Sequence, residues 1–135
     1  MDTTQSTVQK FLQYVSQQDL KNLLPLFADK VDWHVPGDEG NVLWLGRRKN
    51  IQGISDFYEM LWKNTEPVSV NVEDIFINGE NAVIAGEFSI KMLQTNAVVD
   101  SIFFIKMTIK DGQIVKYRFL EDSHAVSSAL NLSKP

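Results

Sequence analysis

Two β-rich runs that meet at Asp111-Gly112 constrain this chain more than any other feature. The first, Ala97 through Ile109, carries Val98, Val99, Ile102, Phe103, Phe104, Ile105, Met107 and Ile109, and the second carries Ile114, Val115, Tyr117 and Phe119. Asp-Gly between two such runs is a strong hairpin signal. The turn length then decides which side chains share a face. A two-residue turn sets Met107 opposite Lys116 and Ile105 opposite Arg118, mixing charge with apolar groups. A three-residue turn over Lys110, Asp111 and Gly112, with Gly112 left-handed in a bulge, sets Ile105 opposite Tyr117 and Phe103 opposite Phe119. That register is the expected one. It makes one continuous apolar face (Phe103, Ile105, Met107, Ile109, Val115, Tyr117, Phe119) and one amphipathic face (Ile102, Phe104, Lys106, Thr108, Ile114, Lys116, Arg118, Leu120). A one-residue slip destroys both.

The apolar face needs a cover, and the preceding residues supply helices for it. Val8, Phe11, Leu12 and Val15 recur at helical spacing and predict a helix over Thr3 to Ser16. Asp19 is a candidate cap for a short second helix through Phe27, with a kink or break at Pro25. Val31-Asp32-Trp33-His34-Val35 alternates as a strand, with Val31, Trp33 and Val35 on its apolar side, and stops at Pro36-Gly37. Asp38 to Asn50 reads as irregular, with Trp44 tucked back over the domain. Asn50 is the expected N-cap of a third helix from Ile51 to about Trp62, whose inward stripe is Ile51, Ile54, Phe57, Tyr58, Leu61 and Trp62. Strands over Val68 to Ile77 and Ala82 to Met92 follow, joined at Asn78-Gly79, and a short helix capped by Asp122 or Ser123 closes the chain.

Helices, a strand, a helix and then four hairpin-linked strands make an α+β domain, a curved and mostly antiparallel sheet whose concave face is roofed by helices. Such a cone encloses an apolar cavity. At 135 residues the chain is expected to be one domain with a sizeable core. A net charge of -4 without a long basic block leaves no electrostatic footprint for nucleic acid. The absence of cysteine excludes disulfides, thiol nucleophiles and cysteine-ligated metals. No segment has the apolar length of a membrane span, and Met1-Asp2-Thr3-Thr4-Gln5 lacks the basic start and apolar run of a signal peptide, so a cytoplasmic location is the default expectation.

Val8-Gln9-Lys10-Phe11 through Asp19-Leu20, Leu26-Phe27-Ala28-Asp29-Lys30-Val31, and Pro36-Gly37 after the first strand resemble the opening of a known family, the ketosteroid isomerase and SnoaL-like branch of the nuclear transport factor 2-like superfamily. Gly46 before the third helix and Ile109-Lys110-Asp111-Gly112-Gln113-Ile114 are similar to its later landmarks. The resemblance spans nearly the whole chain and implies a cone-shaped, cystatin-like α+β roll. It leaves the activity open, since that scaffold hosts isomerases, cyclases, hydrolases, dehydratases and proteins that only bind. The isomerases of the family use a carboxylate base on the first strand, with a tyrosine and a protonated aspartate as oxyanion donors. On an ungapped reading those places fall on Val35 (or His34 with a one-residue shift), Phe11 and Ile105. Valine, phenylalanine and isoleucine move no protons, so steroid isomerisation by the familial mechanism is not expected. Polyketide cyclases of the fold use a histidine and an aspartate on the last strands, where this chain has Tyr117 and Phe119.

The expectation that follows is binding of a small, largely apolar molecule in a cavity lined by Phe11, Trp33, Val35, Trp44, Phe57, Tyr58, Trp62, Phe103, Ile105, Met107, Tyr117 and Phe119. Tyr58 and Tyr117 are the phenols placed inward, and phenol or indole tips suit the orientation of a carbonyl or hydroxyl. The enzymatic alternative is an isomerase, cyclase or lyase working through His34, or through a rim of Asp122 and His124 beside Glu121. Against it, His34 and Asp32 share the outward face of a strand, and a helix cap suffices to explain Asp122. Asp100 and the basic Arg47-Arg48-Lys49 run are more readily solvated than functional. Two widely separated histidines make no metal site, and no cofactor is expected. Ile102, Phe104, Ile114 and Leu120 leave the outer face too apolar to stay wet, which predicts a two-fold homodimer through it. A third possibility is an accessory domain whose cavity is collapsed.

Overall fold

The computed structural model describes residues 3–131. Helix α1 (Thr3–Ser16) leads into α2 (Leu20–Leu23), capped by Asp19, whose carboxylate accepts from the Asn22 N–H at 3.3 Å. Pro25 ends that helix as its missing N–H requires, and Leu24–Leu26 form a single 3-10 turn. Strand β1 (Phe27–Val35) therefore starts four residues before the alternating pattern does. Then come β2 (Gly46–Asn50), α3 (Ile51–Asn64), β3 (Thr65–Asn78), β4 (Asn81–Met92), β5 (Val98–Lys110), β6 (Gln113–Glu121) and α4 (Ser123–Asn131). Asn50 caps α3 through its side chain to the Gly53 N–H (2.9 Å), and Asp122 caps α4 to the Ala125 N–H (3.0 Å).

The six strands form one sheet in the order β2-β1-β6-β5-β4-β3, antiparallel throughout except for the parallel β1–β6 pair. Strand β2 lies in the stretch expected to be irregular. Gly46-Arg47-Arg48-Lys49-Asn50 has no apolar alternation to reveal it, and backbone pairing with β1 alone makes it a strand.

The central hairpin corrects the expected register. Its turn has two residues, Asp111 (φ 52°) and Gly112 (φ 77°), with Lys110 opposite Gln113. Both positive φ values suit the primed turn whose twist matches the strands. The phase conflict that argued against this turn is resolved by a bulge opposite Thr108 and Ile109, which makes Val115 the extra residue. Beyond the bulge Met107 faces Tyr117, Ile105 faces Phe119 and Phe103 faces Glu121. Phe103, Ile105, Met107, Ile109 and Tyr117 are buried as expected. Ile114, assigned above to the outer face, is instead fully buried, and Val115 is half-buried.

Helix α1 is fastened across the concave face at two hairpin turns: Thr4 donates to the Gly79 carbonyl (2.8 Å) and Thr7 to the Gly112 carbonyl (3.2 Å). Beneath it Trp33 stacks on Tyr117 at 4.0 Å and 12°, with Phe11, Phe27 and Phe57 around the pair. Gly86 sits opposite Val72, beside the register shift between Val72 and Asp74 of β3. A Cβ there would stand 2.2 Å from the Asn71 carbonyl oxygen and 2.9 Å from the Phe103 ring. Among the described residues no helix is long and apolar enough to cross a membrane.

Candidate functional site

A cavity of about 620 Å³ lies between the concave sheet and the helices. Helix α1 contributes Phe11, Leu12 and Val15, helix α3 contributes Phe57, Tyr58, Leu61 and Trp62, and the 36–45 segment contributes Trp44 and Leu45. The sheet supplies Val35, Val72, Phe88, Ile90, Phe103, Ile105, Tyr117, Phe119 and Glu121. Exposed Gln13, Ser16 and Gln18 at the end of α1, with Pro67 and Val70 across on β3, mark the mouth.

Ten of the twelve side chains expected to line a cavity do so. Trp33 and Met107 are the exceptions: both are fully buried behind it, Trp33 beneath Tyr117. The segment carrying Trp44 is held to α4 by Asp38 and Asn41. Ser127 donates to the Asp38 carboxylate (2.6 Å), and the Asn41 amide donates to the Ser127 hydroxyl (3.0 Å) and carbonyl (3.1 Å). Arg48 clamps the same segment to α3, donating to the Trp44 carbonyl (3.2 Å) and the Gly53 carbonyl (2.9 Å). Its guanidinium also lies 6.0 Å from the centre of the Phe57 ring. The Arg47-Arg48-Lys49 run thus places none of its charges in the cavity.

The other acid–base candidates lie outside it as well. His34 is half-buried on the convex face, in register with Arg47 and Arg118. The Asp32 carboxylate beside it is taken by Arg118 at 2.9 Å, and this contact, with the guanidinium charge, holds Asp32 below the usual carboxylate range. Being largely exposed, the pair adds at most about 1 kcal/mol, present above the usual carboxylate range and lost as pH falls through it. Asp122 is spent on the α4 cap, and His124 is exposed on α4 beside Ser128. Asp100 is exposed and accepts a hydrogen bond from Ser89. Among the described residues no group of three or more His, Cys, Asp or Glu is gathered as a metal site would need.

Among the described residues one carboxylate does enter the cavity: Glu121, at the end of β6. Burial, helped by neighbouring Asp122, pushes its carboxyl up to about 7. Among the described residues it has no hydrogen-bond donor and no cation against it. The signal was present in the sequence, because Tyr117, Phe119 and Glu121 alternate in one inward phase. Tyr58 and Tyr117 face the same space. Burial raises both phenols above their ordinary range, so both stay neutral donors. The buried Tyr58 hydroxyl is directed to Tyr117, an interaction that raises the Tyr58 phenol further, although the contact falls short of good hydrogen-bond geometry.

Among the described residues the cone is thus apolar apart from one carboxylate, two neutral phenols and a few neutral polar groups. The family model for the SnoaL-like domain matches residues 8–117, and the chain belongs to that family. Its fold is shared with an NTF2-like protein of Burkholderia xenovorans (TM-score 0.86, 18% identity, 96% of each chain covered). A protein of unknown function with a cystatin-like fold from Xanthomonas campestris is similar too (TM-score 0.81, 17% identity, 96% of this chain and 98% of that one). So is a candidate isomerase from Bacillus subtilis (TM-score 0.82, 19% identity, 97% of this chain and 94% of that one). No curated protein matches the sequence.

Proposed function

We propose that this SnoaL-like protein binds a small, largely apolar molecule in the cone and moves a proton on it through Glu121, in chemistry of the isomerase or cyclase kind. The observation that carries this reading is a carboxylate in an aromatic cavity with no partner of its own. A carboxyl tuned to about 7 is poised to take and return protons near neutral pH. The neutral Tyr58 and Tyr117 hydroxyls, which face each other at the cavity wall, are the donors for an oxygen on which negative charge develops. A cavity of about 620 Å³ speaks against the collapsed accessory domain.

The test is hydrogen exchange into 2-tetralone in deuterated buffer, followed by proton NMR. Glu121 takes the proton next to the carbonyl, the electron pair moves onto the oxygen held by Tyr58, and a deuteron returns to carbon. The protein should accelerate this exchange, and Glu121→Gln should lose about a hundredfold or more of the acceleration. An unchanged rate in that variant rules Glu121 out as the proton carrier.

The convex face supports a two-fold homodimer. Ile102, Phe104, Leu120 and Phe76 there are 46–60% exposed. Lys106, Lys116 and Arg118 flank this patch on the β5–β6 side, and Asp74 and Glu87 flank it towards β3 and β4. A two-fold axis near Phe104 lays each basic flank on the partner's acidic one. Sedimentation should show a dimer that Phe104→Asp converts to a folded monomer; a parent protein that is already monomeric at micromolar concentration contradicts this.

A further inference from the structure

Phe88, Phe103 and Phe119 cluster on the cavity wall, with ring centres 5.9–6.4 Å apart and Phe103 and Phe119 stacked at 8°. Phe103 is also the cross-strand partner of Glu121, and Phe119 precedes Glu121 by one inward step on β6. Three phenyl rings and one carboxylate therefore share a corner of the cavity. Among the described residues no lysine, arginine or histidine lines any part of that cavity. The other polar lining groups, Gln13, Ser16, Gln18, Thr65 and the two phenols, are neutral.

We infer that Glu121 and the Phe88, Phe103 and Phe119 rings form a seat for an organic cation, a protonated amine carried on an apolar ring body. The inference rests on the reading that the cone binds small apolar molecules, and it narrows their class. An ionised carboxylate in a low-dielectric corner is costly until an opposite charge joins it, and the described residues supply none. Phenyl faces carry the negative end of the ring quadrupole and attract an ammonium group as well. A carboxylate ligand meets the reverse, a like charge with no cation to offset it.

Three compounds on one ring skeleton separate these effects: 2-aminotetralin (cationic), 2-tetralol (neutral) and tetralin-2-carboxylate (anionic). Calorimetric titration at about pH 8, where Glu121 is mostly ionised, should give the amine at least a tenfold tighter Kd than the alcohol, and the acid a weaker one than the alcohol. In Glu121→Gln the amine should lose its advantage over the alcohol. Equal binding of amine and alcohol by the parent protein, or an amine preference that survives Glu121→Gln, overturns the cation seat while leaving the apolar-ligand reading intact. Failure of all three compounds to bind overturns both.

Discussion

Gly86→Ala should be the most damaging single-methyl change in this protein, costing about 3 kcal/mol and lowering the urea midpoint accordingly. Crowding, not backbone strain, is the cause. The added Cβ meets the Asn71 carbonyl oxygen at 2.2 Å, well inside van der Waals contact, and the Phe103 ring at 2.9 Å. A side chain can swing aside, but Asn71 belongs to β3, whose pairing with β4 shifts register between Val72 and Asp74 beside this point. Moving that carbonyl breaks ladder hydrogen bonds on the long edge strand. Combining Gly86→Ala with Phe103→Leu distinguishes the two contacts: little recovery is expected, because the backbone contact is the tighter one. A midpoint for Gly86→Ala within error of the parent protein's refutes the close approach.

The second large effect is a pH-dependent gain in stability for Glu121→Gln. The unfolded chain releases the Glu121 proton near pH 4.3, whereas the folded protein holds it up to about 7. Below the lower value both states are protonated and the group costs nothing. Between the two values the unfolded state binds fewer protons than the folded state, so stability falls as pH rises, and above about 7 the loss is complete. Allowing for residual solvent at a side chain that is only partly enclosed, the loss is on the order of 2 kcal/mol, or roughly 5–10 °C in Tm. Glutamine carries no such charge. The variant and the parent protein should melt together near pH 4 and separate in favour of the variant by pH 8. Parallel Tm curves across that range would show that Glu121 is not desolvated.

Elements set by local chemistry were legible before any coordinates. Helix α1 runs over the predicted span because four apolar residues repeat at one period, and Asp19, Asn50 and Asp122 cap the helices they precede. The inward phase of Phe103, Ile105, Tyr117 and Phe119 was legible too, since the bulge shifts the pairing without changing which of these residues face inward. What escaped depended on tertiary context. Strand β2 owes its existence to β1, and the bulge at Val115 is a compromise between a preferred turn and a buried face. Glu121 was visible only as the last residue of an alternation, where a carboxylate reads as the polar end of a strand. Its enclosure comes from helices and from a segment distant in sequence, which no local pattern records.

The parallel contact between β1 and β6 has a consequence for the order of events during synthesis. Trp33 emerges early from the ribosome, yet the ring it stacks on, Tyr117, belongs to the last strand. Until β6 is in place, β1 has only β2 beside it and Trp33 lacks the ring it stacks on. Closing this part of the sheet thus depends on a contact between parts of the chain far apart in sequence, the kind of contact that slows folding relative to local pairing.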